Sequence, residues 1–316
     1  MKNDKVWYYL NNKNNSSINH IGEWWTMTGD AYNDTYSIMM DVKQAENDWE
    51  GYISGHSVLY NAKSFRPVIT LNGENLWKSG DGSASNPYEI QDLPETLSER
   101  LLSDKSTRPG ERTDFSTVLT TDNTKTLYTG TEDGTTVYYF AGNATDNWVK
   151  FGGYYWRIIR TNADGSTRML YHGTSTTATD AYIGTSTFNS TYNDPMYVGY
   201  IYGTSNSTAI DRSNTNNSTI KEVIDVWYKN NLNTNYGKYI STTAAYCNDR
   251  NVIDGTYNTS SFSYAGRTRL YSNKAPTYNC LTTEDKFTIT GNIGNGKLTY
   301  PIALMTADEI SYAGGV

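Results

Sequence analysis

The apolar positions fall in short runs of β-branched and aromatic residues, separated by clusters of Gly, Asn, Ser and Pro. That is the pattern of strands and turns, not of long helices. Ser64-Phe65-Arg66-Pro67-Val68-Ile69-Thr70-Leu71 predicts one buried strand, with proline near its start, where a missing N–H does least harm. A turn cluster from Ser79 to Pro87 then leads into a short strand, Tyr88 to Ile90. Upstream, Glu23 to Thr28 and Tyr36 to Val42 read as strands, joined by a turn from Gly29 to Asp34. The stretch from Lys43 to Asn61 has no apolar run and reads as a loop carrying Trp49, Tyr52, His56 and Tyr60.

Helix signals are few. Asp92-Leu93-Pro94-Glu95 predicts a helix start, followed by Leu93, Leu97 and Leu101 at i+4 spacing. The string Leu93-Pro94-Glu95-Thr96-Leu97 resembles a sortase signal but lacks the following Gly, the apolar tail and the basic residues. Ser103 to Glu111 is linker-like, and a boundary is placed there. Beyond Thr113 four strands are expected: Thr135 to Phe140, Asn147 to Phe151, Tyr154 to Arg160 and Ser166 to Tyr171. Gly152-Gly153 and Asp164-Gly165 are tight hairpin signals, so these strands form an antiparallel meander. Gly173 to Ser207 reads as loop. Asn217 or Ser218 caps a helix whose Ile220, Val223, Ile224, Trp227 and Leu232 share one face. Lys286 to Thr290 is a strand, and Thr306 caps a last short helix that Gly314-Gly315 ends. The class is therefore α+β and β-rich, with two or three short helices and long loops.

Composition narrows the partners. A net charge of -7 without a clustered basic face excludes nucleic acid. No apolar run reaches the length of about 18 residues that a membrane span requires. The start, Met1-Lys2-Asn3-Asp4-Lys5, lacks the apolar stretch of a signal peptide, so an exported form implies a longer precursor. Cys247 and Cys280 have neither CxxC spacing nor a nearby His, which makes a poor zinc or redox site. They read as a disulfide, with two unrelated reduced thiols as the alternative; a disulfide implies an oxidising, extracellular compartment. Asn-X-Ser/Thr triplets are numerous, but chance accounts for them in so polar a chain.

The run Trp148-Val149-Lys150-Phe151-Gly152-Gly153-Tyr154-Tyr155-Trp156-Arg157-Ile158-Ile159-Arg160 resembles the opening meander of a repeat domain. Such repeats occur in surface proteins of Gram-positive and related gut bacteria. They are distantly similar to the C-type-lectin-like and formylglycine-generating-enzyme-like folds. Cys247-Asn248-Asp249-Arg250, Cys280 and the run from Tyr300 to Glu309 match further along. The family's later pieces are matched by Tyr9-Leu10, Trp25 to Thr28, Arg66 to Leu71 and Gly80 to Tyr88, which here come first instead of last. The resemblance implies C-type-lectin-like antiparallel sheets in permuted order. Residues 1–92 are the back half of such a domain, 93–112 a helical linker and 113–316 the front half.

Three arrangements satisfy that order: a circular permutant, one period of a tandem array, or a back half that completes a neighbouring copy. The last two are favoured together, and the expected partner is a further copy joined head to tail. The implied location is extracellular or at the cell surface. Chemistry is not expected. The region matching the cysteine pair of formylglycine-generating enzymes has no cysteine, and Asn193-Asp194-Pro195 and Asn47-Asp48-Trp49 are scrambled relative to calcium-lectin motifs. His20, His56 and His172 are far apart in sequence, and Asp308 and Glu309 read as helix-dipole capping. No cofactor or metal is expected. Recognition remains, and aromatic and amide residues on a loop are its usual bearers. Tyr32, Asn33, Trp49, Tyr52, His56, Tyr60 and Asn61 are the candidate binding residues for a glycan or a host protein, against the alternative that Trp49 and Tyr52 fill the core. Trp24, Trp25, Trp148, Trp156 and Trp227 are assigned to the core.

Overall fold

Arg66-Pro67 interrupts the apolar run at 64–71, and that break joins the two principal sheets. The computed structural model describes residues 24–29, 36–45, 48–59, 63–74, 77–90, 96–105, 107–121, 125–179, 181–204, 213–253, 264–290 and 297–316. In chain order, β1 (Trp24–Gly29), β2 (Tyr36–Ala45) and β3 (Asp48–Ser57) form an antiparallel run, and β4 (Lys63–Phe65) pairs with β1 in parallel. Then come β5 (Val68–Leu71), β6 (Trp77–Ser79), β7 (Tyr88–Ile90) and helix α1 (Leu97–Asp104). Strand β8 (Tyr128–Glu132) comes next, and the four expected strands follow as β9 (Thr135–Tyr139), β10 (Trp148–Phe151), β11 (Tyr154–Thr161) and β12 (Thr167–Gly173). Next are β13 (Gly184–Ser186), β14 (Ile201–Tyr202), β15 (Asn216–Asn217) and helix α2 (Thr219–Tyr228). The chain finishes through β16 (Tyr246–Cys247), β17 (Lys286–Phe287), β18 (Ile302–Ala303) and helix α3 (Ala307–Ala313).

Among the described residues, five strands form one sheet in the order β13-β4-β1-β2-β3. A nine-stranded sheet runs β18-β5-β12-β11-β10-β7-β6, with β9 on β11 and β8 on β9. The molecule is thus a mixed α+β fold rich in strand. β5 sits between β12 and β18, antiparallel to both, and all four of its residues are buried. β7 lies parallel to β10, and β4 antiparallel to β13. Strands from residues 24–90 and from 128–303 therefore share both sheets within the one chain.

The predicted single strand is two strands because Pro67 has no N–H to give a ladder. Its carbonyl still accepts from the Tyr171 N–H at 3.0 Å. Beside it, Arg66 is buried and donates through Nε and Nη2 to the Tyr171 carbonyl at 3.1 and 3.0 Å. The loop expected at 43–61 is also strand for most of its length. β2 and β3 pair in unbroken register from Tyr36↔Ser57 to Ala45↔Asp48. Main-chain pairing supports this ribbon where side-chain patterning does not. Strand β8 went unpredicted, although Asp133 and Gly134, with φ of 47° and 82°, make the two-residue turn that Asp-Gly favours.

The helices follow their caps. Helix α1 starts later than Asp92 suggests: Thr96 is its N-cap, in a capping box with Glu99, and Leu97 and Leu101 are buried. The stretch read as a linker is tied to both flanks. The Tyr88 hydroxyl donates to Asp104 at 2.8 Å, and buried Lys105 pairs with Asp146 at 3.0 Å. Ser218 caps α2, whose Ile220 and Ile224 are buried as expected, but Val223 is 41% exposed. Lys221, Asp225 and Tyr228 take the inward positions instead. Trp227 is half-buried against Tyr154 and Tyr171, while Trp24, Trp25, Trp148 and Trp156 are core. One connected hydrophobic cluster spans Trp25, Ile69, Trp156, Ile224 and Ile310. No helix among the described residues is long and apolar enough to cross a membrane.

Candidate functional site

Two arginines stand directly opposite each other in the β11–β12 ladder, Arg160 and Arg168. Like charges in that position repel. They are held by one carboxylate, since Glu309 Oε1 lies 2.7 Å from Arg168 Nε and 3.4 Å from Arg160 Nε. Glu309 is delivered there by α3, where it also closes a capping box: its Oε2 accepts from the Thr306 N–H at 3.1 Å. Arg160 Nη2 donates to Glu132 Oε1 at 2.7 Å, and Glu132 Oε2 accepts from the Ala163 N–H at 2.8 Å. Burial pushes the Glu132 carboxyl up, but the Arg160 guanidinium outweighs it and holds the group below its usual range. Each guanidinium also covers an aromatic face: Arg160 lies 4.5 Å from the Tyr278 ring centre, and Arg168 4.6 Å from that of Tyr246.

These six side chains line a cleft with about 440 Å³ of empty space, including its open mouth. Asp133, Lys286 and the Cys247–Cys280 disulfide also line it, with Ala245 and Thr306. The disulfide is formed as expected, with its Cα atoms 5.7 Å apart. It connects β16 to the segment before β17, and β16–β17 pairing places Lys286 opposite Cys247. Lys286 Nζ reaches Asp133 at 3.4 Å.

A second buried charge centre lies one residue away along α3. Arg269 Nη2 contacts Asp249 at 2.7 Å and Asp308 at 2.5 Å, and its Nε donates to Asp308 at 2.8 Å. The Thr277 N–H adds a bond to Asp308 at 2.8 Å. This centre sits where α3 meets β1: the Ala307 N–H donates to Thr28 Oγ1 at 3.0 Å, and the Met27 N–H to the Met305 carbonyl at 3.0 Å. Burial pushes the Asp249 carboxyl up to about 7; Asp308 adds to the rise and Arg269 opposes it. Elsewhere, His172 is buried edge-on against Trp148 and pushed down to about 2, by burial first and then by Arg157 and Arg66. Its imidazole is therefore neutral at physiological pH. Among the described residues no group of three or more His, Cys, Asp or Glu is arranged to hold a metal ion.

The candidate binding residues of the sequence lie elsewhere. Trp49, Tyr52 and His56 are on β3, opposite Gln44, Asp41 and Ser37 of β2. His56 is half-buried. Tyr32, Asn33, Tyr60 and Asn61, and also His20, lie outside the described residues. The cleft residues were missed because β11 and β12 are buried on both faces, so their arginines point to partners that strand alternation does not reveal. The one available signal was the acidic pair Asp308-Glu309: both are almost fully buried, so their role exceeds dipole capping. No protein family, curated protein or solved structure matches the chain.

Proposed function

We propose that this chain is a structural unit of an extracellular, cell-surface filament, joined head to tail to further copies by strand complementation, and that it is not an enzyme. The observation that carries this reading is the seat of β5 between β12 and β18. A fully buried strand from the early part of the chain sits between two strands from the later part. The slot is filled here by the chain's own β5, and a second copy's β5 would meet the same main-chain register. The disulfide fits the oxidising compartment such a unit occupies. The strand-rich α+β frame is in keeping with a C-type-lectin-like domain with its pieces permuted. The buried acids of both charge centres are paired with arginines, as a structural role requires.

Single cysteines on separate chains test the complementation. Leu71→Cys on one copy and Thr167→Cys on another face each other in the β5–β12 register. Co-expression is expected to give interchain disulfides and, by electron microscopy, fibres with one chain per step. A monodisperse monomer at every concentration, with cross-links only when both cysteines share one chain, overturns the reading.

A second reading, an adhesin for a host glycan or protein, is favoured by the long β2–β3 ribbon that bears Trp49 and Tyr52 on the last strand of its sheet. Glycan-array binding lost in Tyr52→Ala and Tyr60→Ala would support it, and an empty array would remove it.

A further inference from the structure

The hydrogen-bond census of the disulfide-flanked cleft is lopsided. Both oxygens of each buried acid are engaged, Glu309 by Arg160, Arg168 and its own capping box, and Glu132 by Arg160 and the Ala163 N–H. The donors are not exhausted. Arg160 uses all three nitrogens, on Glu309, Thr161 and Glu132. Arg168 pairs with Glu309 through Nε as an ionic contact without hydrogen-bond alignment, and donates from Nη1 to the Ala245 carbonyl, which leaves Nε and Nη2 without hydrogen-bond partners among the described residues. The Tyr278 hydroxyl is buried and has no hydrogen-bond partner among the described residues. Lys286 Nζ has one long contact, to the exposed carboxylate of Asp133. The Tyr246 hydroxyl is occupied on its far side by Thr70 and Pro301.

A site with saturated acceptors and surplus donors selects a ligand that accepts. A metal cation finds no free carboxylate oxygen on the buried acids. The ionic lining is balanced, with Arg160, Arg168 and Lys286 against Glu132, Asp133 and Glu309. A singly charged anion is therefore tolerated, whereas a doubly charged phosphate would face Glu309 and Asp133 with nothing to compensate its second charge.

We propose that this cleft binds the carboxylate of a small acidic ligand, with Arg168 Nη2, the Tyr278 hydroxyl and Lys286 Nζ as its donors. The site is independent of how copies of the chain associate. Tyr278 lines the cleft, and its buried hydroxyl, whose hydrogen is free to rotate about the C–O bond, gains a partner when a carboxylate reaches it.

Thermal unfolding of the full, disulfide-bonded chain tests the site in sodium acetate, sodium glucuronate, sodium phosphate and sodium chloride at one pH and ionic strength. A saturable rise in Tm with both carboxylates, absent in chloride, is expected. A preference for glucuronate assigns the site to acidic sugars, and equal responses assign it to an isolated carboxylate such as an acidic side chain. Tyr278→Phe, which keeps the ring stacked on Tyr312, is expected to weaken carboxylate binding about tenfold, as loss of a hydrogen bond to a charged group does. Lys286→Gln, at the partly exposed rim, should weaken it severalfold without disturbing the fold. Equal responses in acetate and chloride mean that water alone fills the cleft and overturn the proposal. So do a preference for phosphate, or wild-type affinity in both variants.

Discussion

Asp308 and Glu309 are neighbours in the first turn of α3, yet they supply two centres of opposite design. Adjacent helical residues diverge by about 100°, which sends one carboxylate to each side. On Asp308's side a single cation, Arg269, is shared by two acids. On Glu309's side a single carboxylate oxygen is shared by two cations. The first centre has an acid too many, and burial first, with the Asp308 charge adding to it, raises Asp249 so that it keeps a proton. The second has hydrogen-bond donors to spare and opens onto a cleft. Similar burial and similar residues thus give a proton-holding joint in one place and an anion-accepting pocket in the other. What decides is whether the shared group is the cation or the carboxylate.

The largest test removes the shared carboxylate. Glu309→Gln leaves Arg160 and Arg168 facing each other without their shared charge, and should cost about 3–5 kcal/mol in urea denaturation. Asp308→Asn should cost clearly less, because Arg269 keeps Asp249. Equal losses would break the comparison. Next in size, Cys247→Ser with Cys280→Ser frees a loop of sequence separation 33 beside the cleft. On chain entropy it should lower stability by about 3–4 kcal/mol.

The Asp249 joint predicts a pH slope. The folded chain holds a proton on Asp249 up to about 7, where an unfolded carboxyl has lost it above its ordinary value of 3.8. The stability this group contributes is therefore present at acid pH and is lost as pH rises from about 4 through 7. The slope from this group is at most about 1.4 kcal/mol per pH unit. Asp249→Asn, neutral throughout, should flatten that part of a denaturation series between pH 5 and 8; an unchanged slope would place the titration elsewhere. The smallest effect is expected from Tyr278→Phe without ligand. It removes a buried hydroxyl that has no partner, so stability should stay within about 1 kcal/mol of wild type or rise slightly.

Much of the frame was legible in the sequence. Paired glycines at 152–153, both with positive φ, marked a hairpin that the structure contains, and Thr306 with Glu309 marked the start of α3. The cysteine pairing was legible too, because few other uses were open to two isolated thiols. The ribbon at 48–57 was not, since Gly51, Gly55 and Ser57 break up the apolar pattern while the backbone pairs regardless. Nor was the cleft. Arg160 and Arg168 sit in strands whose every inner position is buried, and their partner lies about 140–150 residues away, as the 149-residue separation of Arg160 and Glu309 illustrates. Local periodicity carries no trace of such a contact. The role of β5 as an inner strand was legible, but the switch of sheets at Pro67 depends on which strands wait on either side.

That switch has a mechanical consequence. Phe65 ends a strand of one sheet and Val68 begins a strand of the other, with only Arg66 and Pro67 between them. Three Cα-to-Cα steps span at most about 11 Å when fully drawn out. The connection is a covalent tether of fixed length, clamped at its middle by the two Arg66 bonds to Tyr171. Tension that draws the two sheets apart is loaded onto this tether before it reaches the hydrogen-bonded ladders.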